Sequence, residues 1–189
     1  MIVTINGDHG SGKSTVAQKV AQDLGYKYYH TGSIFRSMAK EKGMTYAEFM
    51  KLMDKDPSID REVDERTVVL GKKQDDFVFD SRLAWHFIPH SLKIFLAVDE
   101  NEAAKRMLLH LKKEHSTERE NEDKNLETLE NVIASNKKRK AKDNERYKKL
   151  YDVDIWDQSN YDFVLDTTSL GIEQVHQKVL SMIKKRLAK

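Results

Sequence analysis

Gly7-Asp8-His9-Gly10-Ser11-Gly12-Lys13-Ser14-Thr15 fits the pattern G-x-x-x-x-G-K-[ST] without a mismatch. Backbone N–H groups turned inward around phosphate oxygens need residues without side chains where the ligand comes close, and Gly7, Gly10 and Gly12 supply them. In such a loop Lys13 reaches the β- and γ-phosphates and Ser14 offers a hydroxyl to Mg²⁺. A helix beginning near Lys13 turns its positive end to the anion. The context is the required one: the apolar run Ile2-Val3-Thr4-Ile5 enters the glycines, and Val16, Ala17, Val20 and Leu24 mark one face of a helix that leaves them. Gly7 to Thr15 therefore reads as the cradle of a nucleoside triphosphate.

Outward from the loop, apolar runs alternate with helical periodicity. Tyr26 to His30 reads as a second strand, and Thr31-Gly32 opens a helix with Ile34, Phe35, Met38 and Ala39 on one face and Arg36 exposed. Thr45 to Met53 and Ser58 to Leu70 follow as a helical pair broken at Asp56-Pro57. Phe77-Val78-Phe79 is a short buried strand that ends in Asp80, Ser81 and Arg82, and Leu92 to Val98 is the clearest strand after the first. Asp99 caps a helix through Ala103, Met107, Leu108 and Leu111; the polar stretch from Lys112 to Leu150 reads as a solvated helical excursion. Phe163 to Asp166 and Ile172 to Leu187 close the chain as a fifth strand and an amphipathic helix. Strand and helix in alternation predict a parallel α/β sheet with right-handed crossovers and helices on both faces.

The chain has 189 residues, enough for one sizeable core, with 33 Lys and Arg against 31 Asp and Glu. A formal net charge of +2 argues against a protein that coats nucleic acid, and the absence of cysteine removes disulfides and thiolate metal sites. No apolar run approaches the ~18 residues of a membrane span and no stretch resembles a signal peptide, so a cytoplasmic protein without membrane contact is expected. His86 and His90 are four apart, but Pro89 between them argues against a helical metal pair.

Five stretches together resemble the nucleoside monophosphate kinases, most closely the short archaeal-like cytidylate kinases. They are the phosphate loop, Thr31 to Arg36, Asp60-Arg61-Glu62-Val63-Asp64-Glu65-Arg66, Asp80-Ser81-Arg82-Leu83, and Arg146 to Asp154. The resemblance spans nearly the whole chain. It implies a P-loop kinase, a three-layer α/β/α sandwich with a five-stranded parallel sheet in the order 2-3-1-4-5. It also implies one domain: a core of residues 1–31, 73–111 and 151–189, a helical acceptor-binding part at 32–72 and a helical lid at 112–150. The implied reaction moves the γ-phosphate of ATP to CMP or dCMP with Mg²⁺, in a monomer.

Phosphoryl transfer is mostly positioning and charge neutralisation, so cations are needed around donor, acceptor and transferring group. Arg36 and Arg82 stand at strand ends on the loop's edge of the sheet, suited to grip an acceptor phosphate in forked hydrogen bonds. Asp80, ending an apolar strand, is placed to hold Mg²⁺ through water beside Ser14. Arg139 and Arg146, two helical turns apart, are the lid cations expected over the phosphates alongside Lys13, with Arg119 a further lid candidate. The resemblance assigns Arg61 to the acceptor base and the loop at Thr168 to adenine. Leu83 stands where longer bacterial-type relatives carry an Asp that touches the base, and Ser33 where many have Asp. The acceptor therefore stays open to UMP, AMP or a non-nucleotide alcohol. The basic cluster from Lys137 to Lys142 keeps a third reading open, a P-loop ATPase or RNA-binding module.

Overall fold

The computed structural model describes residues 1–53, 55–56, 58–113, 126 and 128–188. At its centre β1 (Ile2–Gly7) is buried at all six positions and pairs in parallel with β3 (Phe77–Asp80) and β4 (Leu92–Ala97). Outside these lie β2 (Lys27–His30) and β5 (Phe163–Asp166), giving the parallel order β2-β3-β1-β4-β5. A strand flanked on both edges and covered on both faces has no solvent side, which is why β1 and β3 read as continuous apolar runs.

Alternation along β1 splits the core in two. Val3 and Ile5 pack with Val16, Val20, Val175, Val179 and Ile183, which places α1 (Lys13–Leu24) and α8 (Ile172–Leu187) on one face. Ile2 clusters with Phe77, Phe79, Ala84 and Ile88 on the other face, beside α5 (Ala84–Phe87). Three further helices, α2 (Thr31–Glu41), α3 (Tyr46–Met53) and α4 (Ser58–Lys73), form a second cluster of Met38, Ala39, Phe49, Met53, Ile59 and Val63. Thr45 and Glu48 cap α3 reciprocally: Glu48 N–H donates to Thr45 Oγ1 at 3.3 Å and Thr45 N–H donates to Glu48 Oε2 at 2.8 Å. Arg66 ties α4 to α2 with a two-pronged grip on Glu41 at 2.8 and 2.5 Å.

Asp99 accepts from the N–H groups of Asn101 and Glu102 and so caps α6 (Glu100–Lys113). The 23-residue α7 (Leu129–Tyr151) is capped by Thr128 and packs on α6 through Val132 against Ala104 and Met107. Residues 140–151 then run past the carboxyl ends of the strands to reach α4.

Expectation and structure differ at element ends. Tyr26 lies outside β2 because its N–H closes α1 on Ala21 O; β3 takes in Asp80, β4 stops at Ala97, and α4 continues to Lys73. The excursion after α6 becomes one long helix from Leu129. α5 was not foreseen, since four residues carry no readable period; Ser81 Oγ starts it by accepting from Leu83 and Ala84 N–H. Pro57 and Arg119 lie outside the described residues. Among the described residues no helix is long and apolar enough to cross a membrane.

Candidate nucleotide-phosphate site

The sheet register brings the site together. His30 is level with Asp80, Asp80 with Ile5, and Gly7 with Leu96, so β2, β3 and the phosphate loop deliver their ends to one edge. Gly10 and Gly12 take φ of 79° and 82°, and a Cβ on Gly10 would sit 2.6 Å from Ala103 O. No L side chain fits that approach. Gly12 offers no side-chain cap to α1, so the first-turn amides beside Lys13, Ser14 and Thr15 face the loop's concavity for an anion. Ser14 and Thr15 are exposed, and Ser11 is buried. Asp8 braces the loop: it accepts from Val98 N–H at 3.2 Å and from Lys140 Nζ at 3.0 Å, and that ammonium also lies 4.6 Å over the Trp156 ring.

Lys13 Nζ donates to Asp80 Oδ1 at 2.7 Å, and Tyr28 OH donates to Asp80 Oδ2 at 3.3 Å. Burial and the Asp80 charge push the Tyr28 phenol up, so it stays a donor. Next to them, an Arg36 guanidinium nitrogen lies 3.1 Å from His30 Nε2. Since guanidinium only donates, His30 is neutral with its proton on Nδ1; burial and Arg36 lower its pKa accordingly. Arg36 is otherwise exposed, at the mouth of the site.

His9 reports the local field. It is 12% exposed. Burial first, then Arg82, Arg139, Lys13 and Lys140, lower its pKa to about 2. Four cations from three parts of the chain thus converge on the loop, as an anion site requires. Arg82 forms an ion pair with Asp143 of α7. Arg146 is placed further along α7, paired with Asp60 of α4, while Arg139 stays at the loop end. Arg61 points into solvent and makes no part of this cluster.

The loop after β5 is held by a residue that sequence reasoning passed over. Arg106 donates to Thr167 Oγ1 and to the carbonyls of Thr167, Thr168 and Leu170 at 2.7 to 3.2 Å. Thr168 Oγ1 in turn accepts from Asp99 N–H at 2.9 Å. The pairing roles of Asp60, Asp143 and Lys140 were likewise hidden in charge runs, and Asp8 was readable as part of the loop but not as the partner of Lys140. Their partners lie 61 to 132 residues away.

Among the described residues no group of three or more His, Asp or Glu side chains is set to cage a metal. What the site offers a metal is the exposed Ser14 hydroxyl beside the buried Asp80 carboxylate. That donor set suits Mg²⁺, which keeps several of its own waters and needs few protein ligands.

Residues 2–169 match the model of the cytidylate kinase-like family. The cytidylate kinase of Methanocaldococcus jannaschii is 36% identical over 184 residues, 97% of this chain and 97% of that protein. The cytidylate kinase of Natronomonas pharaonis is 35% identical over 185 residues, 97% of this chain and 89% of its own. Among solved structures, shikimate kinase from Bacteroides thetaiotaomicron superposes with a TM-score of 0.63 over 97% of this chain and 98% of that one. Its 14% identity speaks to the fold alone.

Proposed function

The chain belongs to the cytidylate kinase-like family, and from that premise we propose that it transfers the γ-phosphoryl group of ATP to CMP or dCMP, releasing ADP and CDP or dCDP. The observation that carries this reading is the convergence of Lys13, Arg82, Arg139 and Lys140 on the phosphate loop of a chain alike over its whole length to cytidylate kinases.

The β-phosphate sits in the loop formed by Gly7 to Thr15 and the γ-phosphate at its mouth, with Lys13 leaving Asp80 to meet the β- and γ-oxygens. Ser14 and Asp80 are the residues that would hold Mg²⁺, and the ion would neutralise charge on the phosphates. Arg36 and Arg82 fix the acceptor phosphate in line with the γ-phosphorus, Arg82 exchanging its Asp143 carboxylate for a phosphate oxygen. Arg139 faces the charge that develops on the transferring group, and Arg146 joins it when α7 closes further. Asp80 would order the acceptor phosphate only through the waters of that ion, since two anionic oxygens have no proton to share. The loop at Thr168, braced by Arg106, takes the adenine.

In this reading residues 32–72 bind the acceptor, residues 112–150 serve as the lid, and the sheet with its flanking helices is the core; the separate apolar cluster of α2, α3 and α4 supports the first of these parts. Lid closure excludes water that would otherwise consume ATP. An assay coupling ADP release to CMP, dCMP, UMP and AMP in turn tests the proposal.

A further inference from the structure

Cytosine and uracil differ at one edge: the 4-amino group of cytosine donates where the 4-oxo group of uracil accepts. Leu83, at the strand end beside Arg82, is 4% exposed and has no polar side-chain atom to read that difference. Arg61, the sequence candidate for the base, is solvent-facing. A carboxylate does lie on a different element, Asp64 of α4, where α7 meets it.

The contacts of α7 run in order from the phosphate loop outward: Lys140 to Asp8, Asp143 to Arg82, Arg146 to Asp60, and Tyr151 to Asp64. From Asp143 to Tyr151 is eight residues, roughly 12 Å along an α-helix. A pyrimidine nucleotide whose phosphate meets Arg82 can reach the far end of this row with its base. There Tyr151 donates its hydroxyl to Asp64 Oδ2. The ring of Tyr151 is held edge-on by Phe87 at 5.3 Å and beside His86 at 6.0 Å, so this end of the row is aromatic.

Asp60 and Asp64 are one turn apart on α4 and differ in kind. Asp60 has the Arg146 guanidinium opposite it. Asp64 is half-buried and its partner among the described residues is a neutral hydroxyl. Burial pushes its carboxyl up to about 6, with the Tyr151 hydroxyl drawing it partly back. Keeping a half-buried acid without a cation costs stability and suits a group that waits for a donor.

We propose that Asp64, oriented by Tyr151, is the specificity-determining residue that accepts a hydrogen bond from the 4-amino group of the cytosine acceptor. With Oδ2 occupied by Tyr151, Oδ1 faces the base. Uracil there sets its carbonyl oxygen against a carboxylate oxygen with no proton between them, so the carboxylate stays desolvated and unpaired. The assignment rests on the acceptor being a cytidine nucleotide, as proposed above.

The test compares kcat/KM for CMP and UMP at saturating ATP in the wild type, Asp64→Asn and Tyr151→Phe, with thermal melts to establish folding. Asp64→Asn can donate to the uracil carbonyl, and the CMP:UMP ratio is expected to fall at least about tenfold, the scale of one charge-assisted hydrogen bond. Tyr151→Phe lowers the ratio less, through a higher KM for CMP. The wild type alone gives a second readout: a 2-pyrimidinone ribonucleotide, lacking the 4-amino group, should be phosphorylated at least about tenfold less efficiently than CMP. Asp64→Asn losing both activities in proportion, or the 2-pyrimidinone nucleotide matching CMP, overturns the assignment while CMP kinase activity stands. A wild type inactive on CMP overturns both.

Discussion

Lys13 Nζ and Asp80 Oδ1 meet at 2.7 Å, the amine from the first turn of α1 and the carboxylate, 6% exposed, from the end of β3. Each neutralises the other, and each has a separate task once phosphate arrives. Lys13→Ala is expected to lower kcat by about 10²–10³ or more. It also leaves Asp80 buried without a cation, at about 2 kcal/mol, below the range for fully buried pairs because Lys13 is partly exposed. The double variant Lys13→Ala/Asp80→Asn should melt above Lys13→Ala and stay inactive. Equal melting of the two would disprove the pairing energy.

Arg36 lies at the site mouth with His30 as its inner support. Arg36→Ala should raise KM for CMP about 10- to 100-fold, the scale of lost hydrogen bonds to a charged phosphate, and leave KM for ATP unchanged. Initial-rate kinetics with each substrate varied separately check this. A matching rise in KM for ATP would place Arg36 on the donor side.

Arg106 satisfies three carbonyls and a hydroxyl of the loop after β5. Arg106→Met should raise KM for ATP about tenfold through loss of these charge-assisted bonds and leave kcat at saturation within a few-fold. Arg106→Lys should rescue little, since one ammonium cannot span the same fan of acceptors. Steady-state kinetics in ATP decide it, and full rescue by Lys would contradict the loop-bracing role.

His9, with a pKa lowered to about 2 against 6.5 in the unfolded chain, stays neutral in the native protein. Where the unfolded chain binds a proton that the native state refuses, stability rises with pH. Its contribution is thus complete above about pH 6.5 and lost as pH falls toward 2, amounting to about 2 kcal/mol between pH 7.5 and pH 5. Asp64 acts with the opposite sign, since a carboxyl raised to about 6 stabilises the native state at low pH and loses that effect as pH rises through 6. Comparing denaturation of the wild type and His9→Gln across pH 5–7.5 isolates the His9 slope. A variant with the same slope as the wild type would refute it.

How far the sequence was legible follows from what each feature depends on. Ile2 to Ile5 and Phe77 to Phe79 were readable because strands covered on both faces are unbroken apolar runs. The loop was readable because phosphate needs glycine at fixed spacing. Strand order is a property of crossovers and came only from the resemblance that Arg36, Arg82 and Arg146 carry along with the loop. Lys140 and Asp143 looked like a solvated helix face. Their partners, Asp8 and Arg82, are fixed by where α7 crosses the sheet edge, and no local periodicity encodes that. Arg106 was passed over for a related reason: on α6 it forms an ordinary i,i+4 pair with Glu102, and its carbonyl partners lie more than 60 residues on.

The most direct measurement is phosphoryl transfer itself: purified protein with ATP and Mg²⁺, offered CMP, dCMP, UMP and AMP in separate reactions, with ADP and the nucleoside diphosphate both quantified. CMP or dCMP is expected to give the highest kcat/KM, with one diphosphate product formed per ADP. A preference for AMP or UMP, or ADP release without phosphorylation of any monophosphate, would contradict the account.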